Sequence, residues 1–169
     1  MGKATPAGHG RGMTYLPTRP IVLGPGEGRI IPGPESLVVK ATAADTQGAV
    51  GVLEATSAPG FGPPRHVHHS CDELFYVLGG EFEILVGEER VRATEGSFVL
   101  VPRGTVHAPK VVGPEPGRVL IVFAPGGAEG AFDELAALAA EVGGPLDPAD
   151  ERLLAIIAKY DSSFVGPPL

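Results

Sequence analysis

"RHVHHSCDELFYVLGGEFEI" spans Arg65 to Ile84, holds three of the chain's five histidines, and runs straight into an apolar stretch. In an extended chain successive side chains alternate between faces, so His66 and His68 share one face and His69 takes the other. On a helix the same H-x-H pair would diverge, so the spacing chelates only as a strand. Glu73 stands five residues after His68, an odd number that strict alternation sends to the opposite face. A turn or bulge at Ser70-Cys71-Asp72 restores it, and these residue types suit such an interruption. Phe75 and Val77 then share the parity of Glu73 and should line an interior, with Tyr76 facing outward.

A further histidine, His107, closes "EGSFVLVPRGTVH" (Glu95–His107). An apolar strand from Phe98 to Val101 runs into Pro102, turns at Gly104 and returns to extended chain. If that strand lies near the first, His107 reaches the same interior. Three neutral imidazoles and one carboxylate suit Fe(II), Mn, Co, Ni, Cu or Zn, usually with a position left for water or substrate. From the cluster alone, a solvent-facing strand and a metal site both remain open.

The rest of the chain bounds the setting. Its 169 residues fit one domain with a real core. Gly (25) and Pro (18) are abundant while 43% of residues are apolar, a combination that predicts many short strands and tight turns. A formal net charge of −7 disfavours nucleic acid and anionic membrane surfaces. Cys71 is the single cysteine and asks for no oxidising compartment. The expectation is a cytoplasmic protein, since no signal-peptide core or membrane-length apolar run is present.

Residues 1–19 read as a flexible arm that contains His9, a solvated linker residue, and Met13, an alternative natural start. Residues 20–125 are apolar runs cut by turns, with hairpins expected at Gly79-Gly80 and Gly87-Glu88. No helix separates them, so an antiparallel sandwich or small barrel follows. Residues 126–169 form a helical extension. Phe132, Leu135, Leu138, Ala139 and Val142 stand at helical spacing before Gly143-Gly144. A second helix is expected with Asp147 as N-cap, Pro148 at its first position, and Leu153, Ile156, Ile157 and Tyr160 as its apolar stripe.

With their flanks, the two histidine segments show Gly60, His66, His68, Glu73 and Gly80, then Gly96, Pro102, Gly104 and His107. These nine positions resemble both conserved motifs of the cupin superfamily, with fifteen residues between Gly80 and Gly96, near the shortest spacing in single-domain microbial members. The family's Asn, four residues after the last His, is Val111 here; that Asn is not a ligand. The resemblance implies an all-β core, an antiparallel jelly-roll-like cupin barrel with a C-terminal two-helix extension. It also implies one divalent transition metal per chain, bound by His66, His68, Glu73 and His107. A narrower likeness, in "YVLGGEFEILVG", "VLIVFAPGGAEGAF" and "FVGPPL", is to small bacterial cupins of the quercetin 2,3-dioxygenase-like kind.

That likeness implies an oxygenase in which the metal binds a flavonol-like or other enolisable, apolar or aromatic small molecule beside O₂. Glu73, the shell's carboxylate, is then the expected general base. Phe132, in the segment after the last barrel strand, is a candidate rim or lid residue. The alternative is a metal-dependent isomerase or a non-catalytic small-molecule-binding cupin. A sugar isomerase would want more inward polar groups; Lys40, Lys110, Arg65, Arg103 and Glu83 are the candidates, and most look solvated. His69 reads as a surface residue, Cys71 as a residue of the turn, and Asp72 as a weaker competitor of Glu73. Closing exposed sheet edges favours a homodimer.

Overall fold

The structure is a computed structural model that describes residues 19–33 and 35–169. The expected arm, with His9 and Met13, falls almost wholly outside the described residues. Among them, the strands are β1 (Arg29–Ile31), β2 (Ser36–Ala41), β3 (Gly51–Ser57), β4 (Arg65–His68), β5 (Asp72–Gly79) and β6 (Glu81–Val86). They continue as β7 (Glu89–Thr94), β8 (Phe98–Val101), β9 (His107–Val111) and β10 (Gly117–Ala124). Helices α1 (Ala131–Val142) and α2 (Glu151–Lys159) follow, then β11 (Ser162–Gly166).

The strands pair antiparallel in two sheets, ordered β1-β2-β3-β10-β5-β8 and β11-β4-β9-β6-β7. This is the all-β, jelly-roll-like cupin architecture that the sequence predicts. The alternation that makes a strand amphipathic is plain in β3, where Gly51, Leu53, Ala55 and Ser57 are buried between less buried neighbours. Phe75 and Phe123 are each 1% exposed, and burying a ring of that size contributes about 1.5–3 kcal/mol. Phe75 and Val77 face the core and Tyr76 faces out, as their parity requires.

One of the two expected hairpins is a crossover. Gly87-Glu88 does close a hairpin, with Val86 paired to Glu89. Gly79-Gly80 does not: β5 and β6 lie in different sheets, so this glycine pair carries the chain across the sandwich. Gly80 sits at φ 77°, and a Cβ there would meet the Pro116 carbonyl at 2.7 Å. The local chemistry of a turn and of a crossover is the same; the partner sheet decides between them.

The helices follow the sequence with one shift. α1 ends at Gly143 in the left-handed conformation, as expected. The second helix begins later than expected, capped by Asp150, whose Oδ1 accepts from the Arg152 N–H at 2.8 Å. Asp147 instead accepts from the Ala149 N–H at 2.9 Å in the preceding turn, so neither it nor Pro148 starts the helix. Leu138, Leu153 and Ile157 join the two helices in a small core of their own. Strand β11 was not foreseen and pairs with β4, placing Ser162 opposite His68 and Phe164 opposite His66. No helix among the described residues is long and apolar enough to cross a membrane.

Candidate metal centre

The turn at His69-Ser70-Cys71 carries the chain from β4 in one sheet to β5 in the other. That crossing resolves the parity problem of Glu73, because its strand faces β4 across the interior rather than continuing it. His107, the first residue of β9, pairs with His66 on the neighbouring strand. The fold thus brings His66, His68, Glu73 and His107 together, with one ligand-type atom from each lying within 4.8 Å of the others. They form a group that could hold one metal ion. Glu73 Oε2 is 2.6 Å from His107 Nε2, 3.1 Å from His68 Nε2 and 3.9 Å from His66 Nε2.

The other ring nitrogens set the tautomers. His66 Nδ1 lies 2.8 Å from the Pro64 carbonyl and His107 Nδ1 lies 3.0 Å from that of Thr105. A carbonyl only accepts, so each Nδ1 carries a proton and donates it. His68 Nδ1 is 2.7 Å from Ser162 Oγ. That hydroxyl donates its proton to the Tyr160 carbonyl at 3.1 Å and so accepts from His68. In the neutral rings, three Nε2 lone pairs and a carboxylate then converge with no proton among them. A cation among them relieves that repulsion, and outer hydrogen bonds of this kind are the usual means of aiming imidazoles at a metal. The donor set therefore fits the expected divalent transition metal.

With no metal bound, protons take the cation's place among these atoms. Burial, with the neighbouring His107, pushes the His66 imidazole down to about 4. Burial also opposes charge on Glu73, but hydrogen bonds from His107 and His68 outweigh it and hold the carboxyl well below its ordinary range. Burial opposes charge on His107 in the same way, yet Glu73 raises it above the usual imidazole value.

The other sequence candidates lie apart. His69 is exposed and its Nε2 meets Ser163 Oγ at 2.9 Å. Asp72 is engaged by Arg103, with Oδ1 accepting from its backbone N–H at 2.9 Å and its Nε–H at 3.0 Å. Cys71 is 5% exposed in the apolar core, and burial, reinforced by Glu73, pushes its thiol up to about 11. Of the supposedly solvated charges, Lys40 instead pairs with the partly buried Glu54 at 3.0 Å.

A cavity of about 820 Å³ opens beside the cluster, walled on one side by His66, His68 and Glu73. Its remaining lining is chiefly apolar, including Phe61, Phe75, Phe123 and Leu135. His107 is 1% exposed and stands behind this wall. Phe132, the candidate lid residue, lies in the first turn of α1, lines the cavity and packs against Phe123 with ring centroids 6.4 Å apart. Two residues escaped the sequence reading. Ser162 had no local signal because its role depends on β11 docking beside β4. Glu129 is buried but structural: its carboxylate accepts from the backbone N–H groups of Ala43 and Gly127, each at 2.6 Å.

Comparison with known proteins agrees with this fold. Residues 53–123, which contain all four clustered side chains, match the cupin domain model Cupin_2. An uncharacterized protein of Streptomyces coelicolor (SCO3923) is 40% identical over 57 residues, 34% of this chain. The match spans 53% of that relative, about half its length. KdgF from Halomonas sp. superposes with a TM-score of 0.53 at 19% identity, covering 62% of this chain and 93% of that one. An RmlC-like cupin from Shewanella frigidimarina NCIMB 400 gives a TM-score of 0.53 at 20% identity, covering 64% of this chain and 92% of that one.

Proposed function

We propose that this cupin is a metal-dependent dioxygenase acting on a flavonol-like or other enolisable aromatic molecule. The observation that carries the reading is the opening of a three-histidine, one-carboxylate cluster onto a largely apolar cavity of about 820 Å³. That volume suits a small flat organic molecule, and the polar groups converge at one end of it. A divalent transition metal bound there would act as a Lewis acid toward a substrate oxygen and bring O₂ to the same centre.

The chain's own residues supply the rest. His66, His68 and Glu73 present donor atoms to the cavity, while His107 holds Glu73 from behind at 2.6 Å. Glu73 is the base that takes the acidic hydroxyl proton of the substrate, leaving an electron-rich enolate for dioxygenation. Phe75 and Phe123 flank the cluster and hold the aromatic body while keeping water out. The apolar lining disfavours a sugar isomerase, whose substrate needs many polar partners.

The test is oxygen uptake by protein loaded separately with Fe, Mn, Co, Ni or Cu, with flavonols and simpler enols as substrates. Uptake coupled to substrate loss and reduced at least a hundredfold in Glu73→Gln, with the metal retained, is the expected result. Uptake unchanged in Glu73→Gln removes the general base. No uptake with any loaded form removes the dioxygenase.

A further inference from the structure

The cavity has a second polar pole, remote from the cluster. Glu35, just before β2, and Ser57, the last residue of β3, both line it. Ser57 is 5% exposed, and its Oγ donates to Glu35 Oε1 at 2.6 Å. Glu35 Oε2 has no hydrogen-bond partner among the described residues. The strand registers show how far this pole lies from the metal ligands. Glu73 pairs with Phe123, and Phe123 pairs with Gly51. Ser57 is six residues further along β3, about 20 Å at the usual rise of a strand.

Between the poles the wall is apolar, built by Leu37, Ala55, Phe61, Val119 and Ile121. The other polar side chains on the lining, outside the cluster and this pair, already have partners. Tyr160 donates its hydroxyl to Glu134 at 2.6 Å, and Ser162 is bound to His68. Glu35 differs because it is a half-buried carboxylate whose one partner is neutral, so its charge is only partly compensated. Burial accordingly raises its carboxyl above the ordinary value, against the lowering effect of Ser57. A ligand that brought a donor to Oε2 would supply what is missing.

We propose that Glu35, held in place by Ser57, recognises a hydrogen-bond donor at the distal end of an elongated, apolar-bodied ligand whose other end meets the metal ligands. This rests on reading the cavity as a substrate chamber, and it defines the substrate class more narrowly. The molecule has a metal-binding oxygen at one end, a flat or extended apolar middle, and a hydroxyl or amine at the other. A small catechol would leave Glu35 unmet.

Two pairs of probes differing by one distal hydroxyl, and long enough to approach both poles, test this by calorimetric titration: 12-hydroxydodecanoate against dodecanoate, and 16-hydroxyhexadecanoate against hexadecanoate. The wild-type protein should prefer the hydroxylated member of at least one pair by about tenfold. Glu35→Ala should erase that preference. Glu35→Gln, which keeps the contact with Ser57 and so the local fold, should reduce it. Equal affinities within both pairs, a preference that survives Glu35→Ala, or no binding of any probe would overturn the proposal. The readout is separate from turnover. A distal preference without oxygen uptake keeps this site and rejects the dioxygenase, whereas uptake without a distal preference does the reverse.

Discussion

Ser162 Oγ accepts the Nδ1 proton of His68 at 2.7 Å, across 94 residues of chain. The last strand therefore fixes the tautomer of a candidate ligand set by a motif near the middle of the sequence. Ser162→Ala should weaken metal binding by about ten- to a hundredfold, as loss of such outer partners generally does. Competition against a chelator of known affinity measures this. Unchanged affinity, with the fold intact by circular dichroism, would mean that the ring is held by other contacts.

Glu35 gives a pH dependence with a definite sign. Its folded value lies above the ordinary carboxyl value because of burial. The folded protein therefore binds more protons than the unfolded chain just above the ordinary carboxyl range, and stability falls as pH rises through that window. Glu35→Gln removes the effect. Thermal unfolding of the variant relative to wild type should improve as pH rises above the ordinary glutamate value. A difference that does not change with pH would contradict the burial of this carboxylate.

Cys71 should behave as core. It is 5% exposed with its thiol pushed up to about 11, so a disulfide reagent should find almost no reactive thiol in the native protein. The same reagent in denaturant should find one per chain. Rapid native modification would place Cys71 at the surface, in conflict with this packing.

Tyr76, Phe98 and Leu100 are 44%, 59% and 49% exposed on the outer face of β5 and the edge strand β8. Apolar rings beside an unpaired edge are a natural seat for a second copy of the chain. Light scattering should report about twice the chain mass of 17.3 kDa, and Phe98→Lys should halve it. A wild-type monomer would show that these side chains remain open to solvent.

Much of the fold was legible because it rests on local periodicity. The H-x-H pair, the alternation in β3 and the stop at Gly143 all act within a few residues. The features that the sequence concealed depend on contacts made at a distance. "SSFVG" becomes a strand only by docking on β4, and Gly79-Gly80 crosses between sheets only because β6 finds β9 and β7. Two aspartates near Pro148 both suit a helix cap, and Asp147 is taken up by its own turn. At the site the four clustered residues were readable from their spacing together with the resemblance of their flanks to the two cupin motifs. The hydrogen bonds to Pro64, Thr105 and Ser162 that set their tautomers were not, because two of these partners are backbone carbonyls.

The most direct test of the metal centre is elemental analysis of protein purified without a nickel column, beside a His66→Ala/His107→Ala double variant. The predicted result is about one transition metal per chain in the wild-type protein, present as purified or after loading, and none in the folded variant. A wild-type protein that takes up none of Fe, Mn, Co, Ni, Cu or Zn would contradict the account, since four converging electron-pair donors would then stand without a cation.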